Sequence, residues 1–199
     1  MSFVHDRAAT QKVIDDINTR LSPRIANKFS YVDQGKPFCD SDTRIEILAD
    51  IEKWAYDMSD KSPRLFWLTG VPGVGKSSIT ASIARTFDDK NFLWAQLFIS
   101  RSHVGTTDPK RIFPSIAHQL AERDPKAALS IHGALEKQKS LVHNITDDQA
   151  VNLFVEPIKV VSDLHPSDPI IVVIDALDEI EGEVSETAEI LSKAITALP

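Results

Sequence analysis

A glycine-rich run with one lysine and one serine, Gly70 to Ser77, fits the spacing G-x-x-x-x-G-K-[ST]. Its glycines permit a tight turn in which successive backbone N–H groups surround a phosphate, an approach that a Cβ would obstruct. The Lys76 ammonium can then reach the β- and γ-phosphates of a nucleotide, and the Ser77 hydroxyl can bind Mg²⁺. The run therefore predicts a site for Mg²⁺ with ATP or GTP, formed by Gly70, Val71, Pro72, Gly73, Val74, Gly75, Lys76, Ser77 and Ser78.

A second set of chemically capable residues follows five consecutive β-branched residues at 170–174. Such a run predicts a fully buried central strand, and ligands of open α/β sheets bind outside the carboxyl ends of the strands. Asp175 stands at that end and is predicted to hold Mg²⁺, directly or through water, opposite Ser77. The acidic pair after it is predicted to orient or deprotonate an attacking water. The predicted catalytic residues are therefore Lys76, Asp178 and Glu179.

The elements that must position these residues are those of an α/β domain. An apolar run at 64–68 predicts a buried parallel strand directly before the glycine-rich loop. After the loop, Ile79, Ile83 and Phe87 recur on one helical face. The remaining pattern predicts a second strand over 91–100, a helix over 112–122 with Pro114 in its first turn, and two short helices over 126–156 with Thr146 or Asp147 as a cap.

The residues upstream of the loop show a change of composition. Apolar residues within 6–21 predict a helix, which either packs on its own domain or ends an upstream helical module. Residues 22–40 are rich in Pro, Gly, Asn and Ser and predict a linker. Asp42 is predicted to cap the next helix. Thr43 and Arg44 at its start are expected either to contact the base side of the nucleotide or to be solvated.

Length and charge set broad limits on the function. The 199 residues suffice for one α/β domain and a small appendage, divided here into an N-terminal helix and linker over 1–40 and a nucleotide-binding domain over 41–199. The net charge of −7 argues against a broad nucleic-acid surface. No apolar segment is long enough to span a bilayer, and no secretory signal is evident. The six histidines show no metal-ligand spacing. One cysteine allows no internal disulfide, so we expect a cytoplasmic protein.

The acidic motif from Asp175 to Glu179 resembles the extended Walker B motif of NACHT-type STAND nucleotidases, which are NLR-like proteins. A wider resemblance, over about residues 23–199, is to their fungal branch with a nephrocystin-like N-terminal P-loop domain. That branch has a cysteine, a Thr-Arg pair and a Leu-Ile-Trp helix before the loop, then a strand ending in Ser-Arg and an Ile-Ala-x-Gln-Leu-Ala helix. The matching residues are Cys39, Thr43-Arg44, Leu48, Ile51, Trp54, Ser100-Arg101 and 116–121.

The resemblance implies a P-loop NTPase fold, a three-layer α/β/α arrangement with a mostly parallel sheet, here truncated before the family's sensor strand. It implies an ATP- or GTP-driven switch that oligomerises and, in fungi, often serves non-self recognition or cell death, an innate-immune role. The implied partners are the nucleotide, copies of the same chain and other NLR-like chains. Without the sensor strand, we expect the strand before the loop to be an apolar edge, so that the chain is marginally stable or self-associates.

Other functions also fit parts of the pattern. A different P-loop enzyme, such as a GTPase or a kinase, would need a guanine-reading motif or an acceptor lid, and neither is evident. A non-catalytic nucleotide-binding fragment would retain Lys76, Ser77 and Asp175 and lose only turnover. The favoured expectation is a switch domain with slow Mg²⁺-dependent hydrolysis, slow because an arginine for the developing charge is lacking.

Overall fold

The computed structural model describes residues 2–26, 29–59, 61–182 and 184–199, with side chains from residue 8 onward. Two strands form, β1 (Leu93–Phe98) and β2 (Ile171–Asp175). The helices are α1 (Ser2–Leu21), α2 (Ile45–Ala55), α3 (Lys76–Asp89), α4 (Ile112–Arg123), α5 (Pro125–Lys137), α6 (Asp147–Ala150), α7 (Glu156–Leu164) and α8 (Val184–Thr196). A π-helical segment, Val151–Val155, joins α6 and α7 into one continuous helical run. In the described residues, no helix is long and apolar enough to cross a membrane.

The sheet consists of β1 and β2 paired in parallel, with Phe98 opposite Asp175 at its carboxyl end. The α/β class is thus confirmed in a coarse form: the described chain is mostly helical around a small parallel sheet. The prediction that the strand at 170–174 is fully buried was wrong in part. Ile171 and Val173 are buried, whereas Val172 and Ile174 are half-buried, because among the described strands β2 has a neighbour on one side only.

Apolar residues on the two faces of the sheet belong to two separate clusters. One cluster contains Ile171 and Val173 together with the inner faces of α2 and α3. The other packs Val172 and Ile174 against the remaining helices, including the fully buried Ile17 of α1. Helices therefore cover both faces of the sheet and exclude water from them. The carboxyl end of the sheet is left open to loops.

The predicted strand before the glycine-rich loop is not hydrogen-bonded into the sheet. Residues 65–70 are assigned to neither a strand nor a helix. Phe66 and Leu68 pack inward on the α2–α3 cluster, while Leu65 and Trp67 point outward and are 42% and 62% exposed. This alternation is that of a half-buried strand without a ladder partner. The prediction of a buried strand was therefore wrong, since burial depends on a neighbouring strand that the segment lacks here.

Among the described residues, the outer edge of β1 is closed by two side-chain amides and one backbone carbonyl instead of a third strand. The Gln119 amide accepts from the Gln96 N–H (2.9 Å) and donates to its carbonyl (2.9 Å), as a paired peptide group would. Farther along, the Phe98 N–H donates to the Phe29 carbonyl (2.8 Å), and the Gln34 amide donates to the Phe98 carbonyl. A sheet edge filled in this way resists pairing with other chains.

The upstream residues pack more tightly than a linker would. We call residues 29–39 the strap, because they lie across the edge of β1 and against α3. Tyr31 is 7% exposed and contacts the Phe98 ring, and the Cys39 N–H donates to the Ser82 hydroxyl (2.9 Å). The contacts of the strap are tertiary, so the polar composition of the segment gave no sign of them.

The first residues of α2, α6 and α4 can be compared with the predictions for capping residues and for Pro114. Asp42 does not cap α2: Arg44 precedes the helix, and both residues adopt left-handed backbone conformations (φ +66° and +58°), so the cap prediction was wrong. Thr146 does cap α6, since its hydroxyl accepts from the Gln149 N–H (3.0 Å). Pro114 lies in the first turn of α4, as predicted.

Candidate functional site

The glycine-rich loop turns into α3 through two residues with left-handed backbone. Gly73 has φ +84° and Gly75, which precedes the first helical residue, has φ +89°. Only glycine adopts these angles without steric cost, which explains why the loop needs glycine at both places. In the part of the chain that the structure describes, no side chain caps the N-terminus of α3. Its first N–H groups and the positive end of its dipole therefore face the loop.

The Lys76 ammonium is folded back over its own loop. Its Nζ donates to the Gly70 carbonyl (2.7 Å) and lies 3.3 Å from the Val71 carbonyl. A Cβ on Gly70 would come within 3.3 Å of the Val74 side chain, so this glycine also serves a close approach. The structure thus holds the lysine against its own loop, where phosphates are predicted to lie.

Asp175, at the end of β2, lies beside the start of α3. It is 6% exposed, and its Oδ2 has no hydrogen-bond partner in the described part of the chain. Burial raises the pKa of the carboxyl above its usual value, and Glu179 adds to this rise. The hydroxyls of Ser77 and Thr80 and the Lys36 ammonium act on the same pKa in the opposite direction without cancelling the rise. The residues predicted to share Mg²⁺, Ser77 and Asp175, are therefore brought together.

A carboxylate oxygen without a partner is unusual in a buried position, because its desolvation is uncompensated. Hard divalent cations such as Mg²⁺ prefer carboxylate and hydroxyl oxygens. Asp175 and Ser77 supply such a donor set at the N-terminus of a helix, where phosphate is also favoured. The residues present therefore fit a metal–phosphate group chemically.

The acidic residues after Asp175 lie at different depths. Ala176 has φ +59° and turns the chain out of β2 into a short 3₁₀ turn, Leu177–Glu179. Glu179 is half-buried, and its Oε2 accepts from the Arg101 N–H at 2.9 Å. Asp178 is exposed. The structure therefore places Glu179 near the site and points Asp178 to solvent.

Of the two residues predicted to lie on the base side, only Arg44 contacts the loop. Its Nη2 donates to the Val74 carbonyl at 2.8 Å, while the Thr43 hydroxyl donates to the Asp40 carbonyl (2.8 Å) and closes a turn. An open depression of about 450 Å³ lies beside Arg44 and is lined by Asp42, Arg44, Ile45, Glu46 and Ile47. Ser78, the last residue of the predicted phosphate set, is half-buried in α3.

Sequence reasoning missed two residues of this site. Thr80 lies one helical turn after Lys76, whose carbonyl accepts from the Thr80 hydroxyl (3.0 Å); this spacing was visible in the sequence. Lys36 belongs to the strap, and its ammonium lies 5.8 Å from the centre of the Phe98 ring. No sequence signal indicated Lys36, because its position depends on how the strap folds over β1.

Another acidic group lies between α1 and α5, away from the loop. The ligand atoms of Asp16, His132 and Glu136 lie within 4.8 Å of one another. Arg20 contacts both carboxylates, with its Nε 2.7 Å from Asp16 Oδ2. Because one cation already contacts both carboxylates, the group forms an ion-pair network that joins the two helices.

Comparison with known proteins supplies a family for most of the chain. No curated protein matches it, and no solved structure does. Residues 43–198 match the family model described as Nephrocystin 3, N-terminal. This range contains the glycine-rich loop, Arg44 and the acidic residues from Asp175 to Glu179. The match covers well over half of the sequence, and the chain therefore belongs to the Nephrocystin 3 N-terminal domain family.

Proposed function

We propose that the chain is the nucleotide-binding switch domain of a NACHT-type, NLR-like signalling protein, and that it hydrolyses ATP or GTP slowly with Mg²⁺. Its family is associated with NLR-like nucleotide-binding proteins. The phosphates would lie in the loop from Gly70 to Ser78, with Lys76 neutralising their charge. Thr43 and Arg44 would lie on the base side, where the depression beside Arg44 offers space.

The observation that carries the proposal is the buried, unpartnered Oδ2 of Asp175 beside the Ser77 hydroxyl. A buried carboxylate oxygen without a partner costs stability, so its retention at this place favours a ligand that binds that oxygen. Ser77 and Asp175 would hold Mg²⁺, which supplies positive charge to the phosphate chain when bound. The uncapped N-terminus of α3 supports the same anion.

Glu179 is the better candidate for positioning the attacking water. It is half-buried at the carboxyl end of β2, whereas Asp178 is exposed. The hydrogen bond from the Arg101 N–H fixes one carboxylate oxygen of Glu179 and leaves the other to bind water. The same bond also draws charge away from the carboxylate, which favours slow turnover or, as a second candidate function, nucleotide binding without hydrolysis.

Calorimetric titration with Mg–ATP and with Mg–GTP tests the site. We expect at least one of the two nucleotides to bind, and we expect Lys76→Ala to weaken its binding roughly tenfold to a hundredfold, since a bond to a charged group is lost. Lys126→Ala, on the exposed start of α5, is the matched control and should bind like the wild type. Equal binding by the wild type and Lys76→Ala would refute the site.

Phosphate release by the wild type and by Glu179→Gln separates the two candidate functions. Slow release by the wild type, abolished in a variant that still binds nucleotide, supports the hydrolysing switch. Binding without release in both proteins supports the non-catalytic module.

A further inference from the structure

The strap fixes the position of Lys36 near the carboxyl end of the sheet. The Lys36 N–H donates to the Tyr31 carbonyl (3.0 Å), and the Gly35 N–H donates to the Val32 carbonyl (3.0 Å) in a tight turn. The neighbouring Gln34 side chain donates to the carbonyl of Phe98. The backbone that carries Lys36 is thus held on both sides by hydrogen bonds.

The Lys36 side chain extends over the last residue of β1. Its ammonium lies 5.8 Å from the centre of the Phe98 ring, and Phe98 is the register partner of Asp175. No carboxylate of the described residues lies within ion-pair distance of Lys36, although its charge acts on the Asp175 carboxyl. A half-buried cation without a direct counterion therefore lies over the register partner of a buried carboxylate whose Oδ2 has no hydrogen-bond partner among the described residues.

We propose that Lys36 binds the terminal phosphate of the nucleotide from the β1 side of the site, opposite Lys76. This inference rests on the proposed function. Ser77 and Asp175 would hold Mg²⁺ against the terminal phosphates, so a cation on the β1 side of Asp175 would be placed to contact the far end of the phosphate chain. Lys36 then favours a nucleoside triphosphate over a diphosphate. Lys36 lies outside residues 43–198, the range that matches the family model.

The test compares the affinities for a non-hydrolysable Mg–ATP analogue and for Mg–ADP, measured by calorimetry. Lys36→Gln is expected to weaken binding of the triphosphate roughly tenfold, the effect of one bond to a charged group, and to change binding of the diphosphate less than twofold. Lys36→Arg keeps the charge and should retain most of the preference. Lys126→Gln, which removes an exposed lysine on α5, should leave both affinities unchanged.

Three outcomes would overturn the proposal. An equal loss for both nucleotides in Lys36→Gln would mean that the lysine only supports the strap, and wild-type affinities for both would mean that it contacts no phosphate. In either case, loss of binding in Lys76→Ala would leave the proposed function standing. Failure of the wild type to bind either nucleotide would overturn both. Thermal unfolding of each variant shows whether the strap remains folded.

Discussion

Ser77, in the first turn of α3, lies beside Asp175, the last residue of β2, although the two are far apart in the sequence. The helix begins after a glycine with left-handed backbone, and the strand ends at the acidic residue. The hydroxyl and the carboxylate thereby meet at the carboxyl end of the sheet. The following predictions concern this meeting point and the surfaces around it.

The contribution of Asp175 to the free energy of unfolding should fall as the pH rises through the pKa of its carboxyl. Burial raises that pKa, so the folded chain holds the proton more tightly than the unfolded chain, and the stabilisation is present at low pH and is lost above the raised pKa. Asp175→Asn removes this dependence and should be at least as stable as the wild type at pH 8 in EDTA. Urea unfolding of the wild type and of Asp175→Asn over a series of pH values measures the difference. Asp178→Asn, at an exposed position, should keep the wild-type dependence, and an equal change in both variants would contradict the assignment.

Gly75→Ala should destabilise the folded chain by about 1–2 kcal/mol, because an alanine at φ +89° clashes with its own backbone. The matched control is Gly133→Ala inside α5, where a Cβ meets nothing within 4 Å. That change should stabilise the chain by about 0.5–1 kcal/mol, the difference in helix propensity. Urea unfolding of the two variants checks the sign as well as the size. Destabilisation by both substitutions would indicate that the loop glycine has no special conformational role.

Arg44→Gln should loosen the glycine-rich loop. The variant loses the bond from the guanidinium to the Val74 carbonyl, which connects the start of α2 to the loop. Amide hydrogen exchange over residues 70–76 should become faster, while exchange in β1 and β2 stays unchanged. Arg64→Gln, at another exposed arginine, is the control. Unchanged exchange in the loop of Arg44→Gln would mean that this contact does not hold the loop.

The isolated chain should self-associate through residues 65–68. Its outward residues, Leu65 and Trp67, form an apolar face beside backbone groups that have no ladder partner. Trp67→Lys should lower the average mass measured by light scattering at high protein concentration. Val104→Lys changes another exposed apolar residue, 90% accessible and outside this segment, and should have no effect. A monomeric wild type at high concentration would contradict the prediction.

Local patterns predicted the elements whose residues carry their own signal. The helix after the loop followed from Ile79, Ile83 and Phe87, all of which are buried in α3, and β2 followed from its β-branched run. The juxtaposition of Ser77 and Asp175 followed from a rule about parallel sheets, because both stand at ends of elements that such a sheet aligns.

The remaining features depend on contacts between distant segments. Whether residues 65–68 are buried depends on a neighbouring strand, and their apolar composition carries no information about that neighbour. The cap at Asp42 failed because the chain reverses through Asp42 and Arg44 before α2 begins. The sequence did not indicate Lys36, because a polar, proline-containing segment has the same composition whether it is free or packed as a strap.

The side-chain amide of Gln119 makes the two hydrogen bonds that a neighbouring strand would make to Gln96. It thereby restricts the edge of the sheet at which a further strand can pair. On the flank of β1 the donors and acceptors are already occupied by groups of the same chain, so an incoming strand would have to displace them. On the opposite edge, the outward backbone groups of Val172 and Ile174 have no such partner among the described residues. Enlargement of this sheet, whether by another part of a longer polypeptide or by another molecule, therefore proceeds from β2 outward and next to the very strand that ends in Asp175.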